Sequence, residues 1–515
     1  MLKIAEVGKA VENETSSEEE EEDQGLTLLG SMKVGKDGES LNKKVKKKKK
    51  KKRSQEETQA LQHEEGVNRL RNEHKLKVWS NADDSKGKVA EPIQSFEELA
   101  ERYGMGEDLL ANISKAGYKV PTPVQMQAIP AMIEGCQLLA CAPTGSGKTA
   151  AFLLPVIHQL GVPKGGGVRA VLVSPTRELA QQTHRECLKL AEGRRLRIHL
   201  LSKVKAAAKR IGPKGSHKID ILITTPNRLI YLLNQEPVGI CLKNVEWLVV
   251  DESDKLFEEG KQGFRDQLAH IYQVCDGSKV RRAMFSATHT APVAGWCRKN
   301  LTDLVCVNVG VRNTAVETVK QTLQFVGNED GKLLQFRNMV GEGMPTPVLL
   351  FVQTKDRAQQ LFQELIYDGI NVDVIHAGRT QQQRDNTVRC FREGKIWVLI
   401  CTELMARGID FKGVSLVINY DFPPSIISYI HRIGRTGRAG KPGQAVTFFT
   451  MADMKYLRSI AQVLVDSGCE VPEYILKLDK TNKTDRKELA AKAPKRKSIS
   501  TEPVFDRVKR EKISD

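Results

Sequence analysis

The stretch that decides the fold is Ala142-Pro143-Thr144-Gly145-Ser146-Gly147-Lys148-Thr149, which lies between a short apolar run and an alanine- and leucine-rich segment. Glycines between a strand and a helix let backbone amides curve around an anion at the helix N-terminus. The lysine of such a loop reaches the β- and γ-phosphates of a nucleotide, and the next hydroxyl binds magnesium. Although the usual pattern begins with glycine rather than Ala142, this phosphate loop (residues 142–149) predicts a nucleotide site with Lys148 as a catalytic residue and Thr149 as a metal ligand.

Two acids, Asp251 and Glu252, directly follow the apolar run at residues 247–250. The carboxyl ends of parallel strands border the crevice in which ligands of such sheets bind. At that place Asp251 can hold a magnesium ion, and Glu252 can orient and deprotonate an attacking water. The alternative is that either acid only caps the following helix. Together with the phosphate loop, the pair predicts a site that hydrolyses a nucleotide.

A third motif, His431-Arg432-Ile433-Gly434-Arg435-Thr436-Gly437-Arg438, lies far along the chain from the other two. Arg435 and Arg438 are three residues apart, so on a helical turn they share one face. Guanidinium groups bind phosphate oxygens in pairs, and an arginine placed on a transferring phosphoryl group accelerates the reaction about 10³–10⁵-fold. The alternative is a solvated basic helix face. The separation in sequence predicts an active site that is completed only when two halves of the chain close.

Short apolar runs alternate with helical segments twice, once on each side of residues 309–318. The runs are 137–141, 170–173, 219–223, 247–250 and 283–285 in the first half, and 348–352, 372–375, 397–400, 416–418 and 445–449 in the second. Such runs are typical of parallel strands that helices cover on both faces. They predict two doubly wound α/β domains, at residues 92–309 and 319–478.

Charged segments flank these two domains. An acidic block at residues 18–23 and a lysine run at 46–52 predict a disordered tail over residues 1–91, because blocks of like charge repel and bury no core. Residues 479–515 predict a second tail, which is basic and likewise disordered. The lysine run is either a solubilising segment or a nuclear and nucleolar address with a loose RNA tether, and we favour the second interpretation.

The composition narrows the class of partner. The 515 residues include 80 Lys and Arg against 63 Asp and Glu, a net charge of +17 that favours nucleic acid over a membrane as the partner. Ten cysteines without a Cys-x-x-Cys pair argue against a zinc module or a disulfide framework. Since no apolar run approaches the roughly 20 residues that span a bilayer, we expect a soluble intracellular protein.

Taken in order, these motifs and several others resemble those of the DEAD-box RNA helicases over roughly residues 96–469. The further motifs are Gly117-Tyr118-Lys119-Val120-Pro121-Thr122-Pro123-Val124-Gln125, Pro175-Thr176-Arg177-Glu178-Leu179-Ala180, Thr225-Pro226-Asn227-Arg228, Ser286-Ala287-Thr288, Phe351-Val352-Gln353-Thr354, Gln381 with Arg384, and Thr402-Glu403-Leu404-Met405-Ala406-Arg407-Gly408-Ile409-Asp410. The resemblance implies RecA-like domains, an RNA-stimulated ATPase with helicase activity, and ATP and Mg²⁺ as cofactors.

The resemblance also implies roles for single residues. Phe96 would stack on the adenine ring and Gln125 would read its edge, while Gly408 and Asp410 would complete the nucleotide site. The residues implied to contact RNA are Pro175, Thr176, Arg177, Thr225, Pro226, Arg228, Thr354, Gln381, Arg384 and Thr402. Those implied to couple the nucleotide to RNA are Asp254, Ser286, Thr288 and His431. Hydroxyls and arginines meet phosphate and sugar, so we expect RNA binding without sequence preference.

Four positions depart from the family pattern. Ser253 replaces the alanine of the family name, Glu403 replaces an aspartate and Asn227 a glycine, and no glycine doublet occurs near residues 201–204.

The sequence around Arg379 and Asp410 is similar to that of the subgroup linked to small-subunit ribosome assembly. It implies ribosomal RNA precursors and ribosome-assembly proteins as partners, a nucleolar location and a monomeric enzyme.

Three functions are alternatives to that of a DEAD-box helicase. An ATP-controlled RNA clamp or assembly factor with little unwinding would use the same motifs, and the sequence leaves it open. Asp254 and His431 argue against a translocating helicase of the DEAH type, which has histidine and glutamine at these positions. A small-molecule kinase would need neither the distant arginines nor the RNA-facing motifs.

Overall fold

The computed structural model describes residues 55–81, 89–202, 218–235, 240–258, 263–311, 318–403, 409, 411, 413–438, 441–479, 481–482, 484–485, 494 and 496–499. Within these ranges the chain forms two sheets, one of eight strands and one of six. The first sheet uses residues 76–309 and the second uses residues 319–449. Among the helices in these ranges, none combines the length and apolarity needed to cross a membrane.

The first sheet belongs to the domain that carries the phosphate loop. Its strands are β1 (Leu76–Ser80), β2 (Gln137–Cys141), β3 (Ala170–Val173), β4 (Ile198–Leu200), β5 (Ile221–Thr224), β6 (Trp247–Val250), β7 (Arg281–Ser286) and β8 (Leu304–Val309). They lie in the order β1-β8-β2-β7-β6-β3-β5-β4. Every neighbouring pair is parallel except β1 with β8.

Helices of the first domain connect these strands. They are α1 (Gln55–Glu73), α2 (Glu98–Tyr103), α3 (Glu107–Lys115), α4 (Pro123–Ile133), α5 (Lys148–Leu160), α6 (Arg177–Leu190), α7 (Pro226–Leu233), α8 (Ser253–Leu256), α9 (Arg265–Val274) and α10 (Ala291–Asn300). Alternate residues of β6 face opposite cores: Trp247 and Val249 join one apolar cluster, and Leu248 and Val250 join the other. Helices therefore cover both faces of the sheet, which is why β3 and β6 are apolar throughout.

The second domain repeats this plan with six strands. They are β9 (Val319–Phe325), β10 (Val348–Val352), β11 (Val372–Ile375), β12 (Val398–Thr402), β13 (Leu416–Asn419) and β14 (Gly443–Phe449), all parallel and in the order β11-β12-β10-β13-β14-β9. Its helices are α11 (Glu329–Gly341), α12 (Lys355–Tyr367), α13 (Gln381–Arg392), α14 (Ile426–Ile433), α15 (Met454–Asp466) and α16 (Glu473–Leu476). The prediction of two doubly wound α/β domains is confirmed.

The N-terminal tail is shorter than the sequence predicted. Residues 55–81 were expected to be disordered, but they form α1 and β1, and β1 pairs along its length with β8. The prediction is wrong for this part because β1 buries one face: Leu76 is buried while its neighbour Lys77 is exposed. A strand of only five residues gives a weak alternating pattern, and the charged residues around it dominate the composition of this region. The acidic block and the lysine run lie outside the described residues.

The C-terminal tail also departs from the expected disorder at residues 494 and 496–499. Arg496 forms ion pairs with Glu329 and Asp453 of the second domain, and Ile499 is buried in one of its apolar cores. The prediction is wrong at these positions, since a basic segment with one apolar residue can dock on an acidic surface that only the folded domain assembles.

Candidate nucleotide and RNA site

The phosphate loop connects β2 to α5, as its sequence predicts. Gly145 and Gly147 have φ angles of +78° and +87°, in the left-handed region that favours glycine. A Cβ atom on Gly147 would lie 2.5 Å from Nε2 of Gln125, so a side chain has no room there. The loop therefore turns tightly and presents its backbone at the N-terminus of α5, where an anion is stabilised.

Lys148 lies at the start of α5 and turns back over the loop. Its Nζ donates to the carbonyl oxygens of Ala142 and Pro143, at 2.7 and 2.8 Å. Burial lowers the pKa of Lys148 to about 8, although the nearby carboxylates of Asp251 and Glu252 oppose that shift. The ammonium is thus partly desolvated and poised to exchange two carbonyl contacts for phosphate oxygens.

Asp251 and Glu252 follow β6 at the carboxyl edge of the sheet. Glu252 has a φ of +49°, a left-handed conformation that is rare for a residue with a side chain. Its N–H donates to Oδ1 of Asp251 at 2.9 Å, and its Oε2 is buried without a hydrogen-bond partner among the described residues. Burial, with the charge of Glu252, raises the pKa of Asp251 to about 7. Both carboxylates therefore lie in a site that favours an added cation or hydrogen-bond donor.

The two distant arginines reach this site from the second domain. Nη2 of Arg435 lies 3.9 Å from Oε1 of Glu252, while Nη1 of the same arginine donates to the carbonyl of Ile409. Arg438 packs over the phosphate loop, because a Cβ atom on Gly145 would lie 3.3 Å from its Cγ. The structure thus brings Arg435 and Arg438 together with the acids and with the phosphate loop, which lies about 290 residues before them in sequence.

The four predicted coupling residues form one buried hydrogen-bonded chain. Ser286 Oγ donates to the carbonyl of Thr288, and Thr288 Oγ1 donates to Oδ2 of Asp254 at 2.9 Å. The same carboxylate oxygen contacts Nε2 of His431 in the second domain. These hydrogen bonds link the acid motif to the arginine motif, so the two domains share a polar contact that can respond to the nucleotide.

Sequence reasoning missed a second contact between the domains, at Thr144. Its hydroxyl donates to the carbonyl oxygen of Gly434 at 2.8 Å, and a Cβ atom on Gly434 would lie 2.1 Å from that hydroxyl. The glycine inside the arginine motif was the available signal, because such a position often marks a close approach of backbone.

Gln125 and Phe96, the residues implied to contact adenine, have structural roles in the first domain. Gln125 is fully buried; its Nε2 donates to the carbonyl of Gly147 at 3.0 Å, and its Oε1 accepts from the N–H of Thr122. It therefore braces α4 against the phosphate loop. Phe96 is 3% exposed and belongs to the core. Their contacts with adenine stay predictions.

Four threonines predicted to contact RNA lie at the carboxyl ends of paired strands. Thr176 and Thr225 follow the neighbouring strands β3 and β5, and Thr354 and Thr402 stand at the ends of the neighbours β10 and β12. Thr176 and Thr354 each cap the helix that follows, accepting from the N–H three residues on. Each domain thus places two threonines and two strand ends along one edge. Pro175 and Pro226 are buried beside them.

The first domain adds two arginines to this edge. Arg177 is exposed, whereas Arg228 is partly buried and donates to the carbonyl of Leu201 at 2.7 Å. Burial, with the charge of Arg177, lowers the pKa of Arg228 to about 10. The two guanidinium groups repel each other, and a bound phosphate would offset that repulsion.

Gln381 and Arg384, predicted to bind RNA, contact the first domain. Nε2 of Gln381 and Nε of Arg384 each lie 3.2 Å from Oε1 of Glu178, on α6. Glu178 and Arg384 are both nearly buried, with side chains 10% and 11% exposed. The three residues therefore tie the domains together, and an RNA contact by Gln381 or Arg384 stays a prediction.

The last predicted nucleotide contacts, Gly408 and Asp410, lie outside the described residues. The nearby departure at Glu403 has a structural reason: its Oε2 accepts from Ser428 Oγ and lies 3.3 Å from Nη2 of Arg432. The longer glutamate side chain still reaches α14, which carries His431.

Comparisons with known proteins agree with this arrangement. Residues 122–294 match the family model for the DEAD/DEAH box helicase, and residues 331–440 match that for the helicase conserved C-terminal domain. The chain is 56% identical to the "Probable ATP-dependent RNA helicase DDX52" of Rattus norvegicus, covering 89% of this chain and 76% of that protein. It is 42% identical to the "ATP-dependent RNA helicase ROK1" of Lodderomyces elongisporus, with coverages of 87% and 80%. The structure of S. cerevisiae Dbp5 bound to RNA and ADP BeF3 superposes with a TM-score of 0.64 at 26% identity, over 78% of this chain and 99% of that one.

Proposed function

The chain belongs to the DEAD-box family of ATP-dependent RNA helicases, and we propose that it separates short duplexes when one RNA strand lies across both domains and closes them over ATP. One observation carries this proposal: the arginines of the second domain lie against the phosphate loop and Glu252 of the first. Because hydrolysis needs both halves, RNA that favours closure also favours catalysis. By linkage, ATP that favours closure tightens RNA binding.

In the closed arrangement each side chain has a separate task. Lys148 leaves the loop carbonyls to bind phosphate, and Arg435 and Arg438 stabilise charge on the transferring phosphoryl group. Glu252 orients the attacking water and takes its proton, for which its buried Oε2 is placed. The contact between Asp254 and His431 couples the two domains when they close.

The residues present also fit a magnesium ion. Thr149 and Asp251 offer a hydroxyl and a carboxylate, the oxygen ligands that Mg²⁺ prefers. The raised pKa of Asp251 beside Glu252 marks a place where a cation would be stabilised. When bound with ATP, the metal would neutralise charge on the phosphate oxygens.

The cellular setting we propose is ribosome biogenesis in the nucleolus, with the protein acting as a monomer. The substrates would be ribosomal RNA precursors, with ribosome-assembly proteins as partners. Two features support this proposal. The sequence around Arg379 is similar to that of the subgroup linked to small-subunit ribosome assembly, and a lysine run occupies residues 46–52. RNA contact through threonines and arginines suits a substrate chosen by position in a particle rather than by base sequence.

The test is a Glu252→Gln variant, which should bind ATP and RNA but hydrolyse ATP about a hundredfold or more slowly, since a positioned base contributes that much. Lys148→Ala should instead lose ATP binding. The matched control is Glu258→Gln, because Glu258 is a partly exposed partner of Lys255 and should not change turnover. Crosslinking the trapped Glu252→Gln protein to cellular RNA then identifies the substrate.

Three results would contradict the proposal. Full RNA-stimulated turnover by Glu252→Gln would remove that residue from the catalytic role. ATP affinity that RNA leaves unchanged would remove the linkage between the two sites. Crosslinks confined to messenger RNA would exclude the ribosomal setting while leaving the helicase activity intact.

A further inference from the structure

The C-terminal docking segment (residue 494 and residues 496–499) lies against the second domain through both backbone and side chains. Nε2 of Gln353 donates to the carbonyl of Pro494 at 2.9 Å, and the N–H of Ile499 donates to Oε1 of Gln360 at 3.1 Å. Nη1 of Arg357 contacts the carbonyl of Lys497. Ile499 is 8% exposed and joins the apolar cluster that contains Phe336. The segment is therefore held along its length, by α12 above all.

Arg496 is the centre of this contact, with a side chain only 5% exposed. Nη1 donates to Oε1 of Glu329 at 2.7 Å, and Nη2 donates to Oδ1 of Asp453 at 2.8 Å. Burial opposes the charge, but Asp421, Asp453 and Glu329 together raise the pKa of Arg496 above its usual range. A buried guanidinium needs such partners on each side of its planar fork.

The surrounding cluster is balanced only when the segment is docked. It contains three carboxylates and three cations: Glu329, Asp421, Asp453, Lys332, Arg357 and Arg496. Asp421 and Lys332 are fully buried, and Asp453 is 2% exposed. Without Arg496, one buried carboxylate would be left without a cation, which is strongly unfavourable.

The same cluster fixes the turn between β10 and α12. Oδ2 of Asp421 accepts from the backbone N–H of Gln353 at 2.9 Å, and Oε1 of Gln353 accepts from Nε of Arg496 at 3.1 Å. Gln353 directly precedes Thr354, which is exposed and caps α12 by accepting from the N–H of Arg357. The segment thus contacts Gln353 on its buried side and leaves the hydroxyl edge of Thr354 open.

We propose that the C-terminal docking segment is a positioning element of the RNA site, in which Arg496 fixes Gln353 and so holds the turn at Thr354 in its RNA-binding geometry. This inference rests on the proposed RNA path across Thr354. Arg496 thus acts on RNA binding indirectly, through Gln353. Because its side chain is buried in ion pairs, RNA would not displace the segment, which distinguishes this role from an autoinhibitory one.

The experiment compares Arg496→Ala with Lys497→Ala in the full-length chain. Lys497 belongs to the same segment, but its ion pair with Asp330 is more than half exposed, so its loss should change RNA binding less than about twofold. Arg496→Ala should raise the RNA concentration for half-maximal ATPase stimulation by about tenfold, because it removes the charged hydrogen bond that holds the side chain of Gln353. The KM for ATP without RNA should not change. Arg496→Lys should restore part of the RNA affinity.

Each outcome decides the matter. All variants are assayed below the lowest of their melting temperatures, and a Gln353→Leu variant should reproduce the defect of Arg496→Ala. Unchanged RNA affinity in Arg496→Ala, tighter RNA binding, or equal losses of RNA and ATP binding would each overturn the positioning role. Arg177→Ala tests the RNA path separately: if it weakens RNA binding while Arg496→Ala does not, the path stands and the role of the segment fails. If neither variant weakens RNA binding, the RNA path fails too.

Discussion

At the scale of single residues, the nucleotide site combines a carboxyl group whose pKa is raised with an amine whose pKa is lowered. Burial and the neighbouring Glu252 raise the pKa of Asp251 to about 7, and burial lowers that of Lys148 to about 8. Binding of magnesium and phosphate requires an ionised carboxylate and a protonated amine. The fraction of sites that meet both conditions is therefore largest at pH values near these two pKa values.

We therefore expect the affinity for a magnesium complex of a non-hydrolysable ATP analogue to be highest between about pH 7 and about pH 8. One unit below the pKa of Asp251, about a tenth of the carboxylate is ionised, so affinity at about pH 6 should fall by about tenfold. Above about pH 8, loss of the Lys148 proton should weaken binding again. Titration of a fluorescent analogue across this range measures both limbs.

The control for this pH profile is Asp251→Asn, because the analogue and its metal also titrate near neutrality. The variant should bind more weakly at all pH values and lose most of the acid limb that remains after correction for the free analogue. An acid limb of the same size in Asp251→Asn would show that Asp251 does not titrate in this range.

At the scale of elements, α1 and β1 extend the first domain beyond the predicted boundary at residue 92. Nε of Arg71 on α1 donates to Oε1 of Gln127 at 3.0 Å, and its Nη2 donates to the carbonyl of Ala90 at 3.2 Å. Nε2 of Gln127 donates to that same carbonyl. Since residues 90–95 directly precede Phe96, the N-terminal helix holds the segment that precedes the predicted adenine site.

Arg71→Ala should therefore lower the free energy of unfolding by about 1–3 kcal/mol, because a buried carbonyl and a buried amide lose a charged donor. Chemical denaturation monitored by circular dichroism provides the measurement. Arg69→Ala is the matched control, since Arg69 is an exposed arginine on the same helix and should change stability by less than about 0.5 kcal/mol. Equal stabilities of the two variants would mean that α1 contributes nothing through this tie.

The elements also show what the sequence reveals and what it does not. Strands β3, β6 and β10 match their predicted runs because these strands are buried on both faces and contain no polar residue that would obscure their ends. Strand β1 was missed because one of its faces is exposed, and β4 because it is short and only partly buried. Strand β8 was missed although it is apolar and buried, so the predicted set omitted a signal that was present.

The candidate site divides in the same way. The phosphate loop and Asp251 with Glu252 follow from local sequence, because strand ends and helix starts place them without help from distant residues. The pairing of Glu178 with Arg384 and the docking of Arg496 depend on surfaces that meet only in the folded chain. No spacing rule within one segment contains that information.

At the scale of the whole molecule, three of the polar contacts that join described residues of the two domains lie at different distances from the nucleotide site. Thr144 with Gly434 and Asp254 with His431 adjoin the phosphate loop. The third, formed by Glu178 with Gln381 and Arg384, joins α6 to α13. Since α6 begins directly after Thr176, this third contact adjoins the predicted RNA edge. It should therefore affect closure by RNA more than the binding of ATP alone.

We expect Arg384→Ala to lower RNA-stimulated ATP hydrolysis and leave the ATP affinity without RNA unchanged. Fluorescence energy transfer between dyes on the two domains should show less closure at a given RNA concentration. A double-mutant cycle with Glu178→Ala distinguishes a domain tie from direct RNA contact: a tie predicts a coupling energy of about 0.5–3 kcal/mol, whereas independent RNA contacts predict additive losses. Arg389→Ala, an exposed arginine on the same helix, is the control and should resemble the unaltered protein. Additive losses would return Arg384 to the RNA-binding role that its motif implies, and closure would then depend on the two contacts beside the phosphate loop.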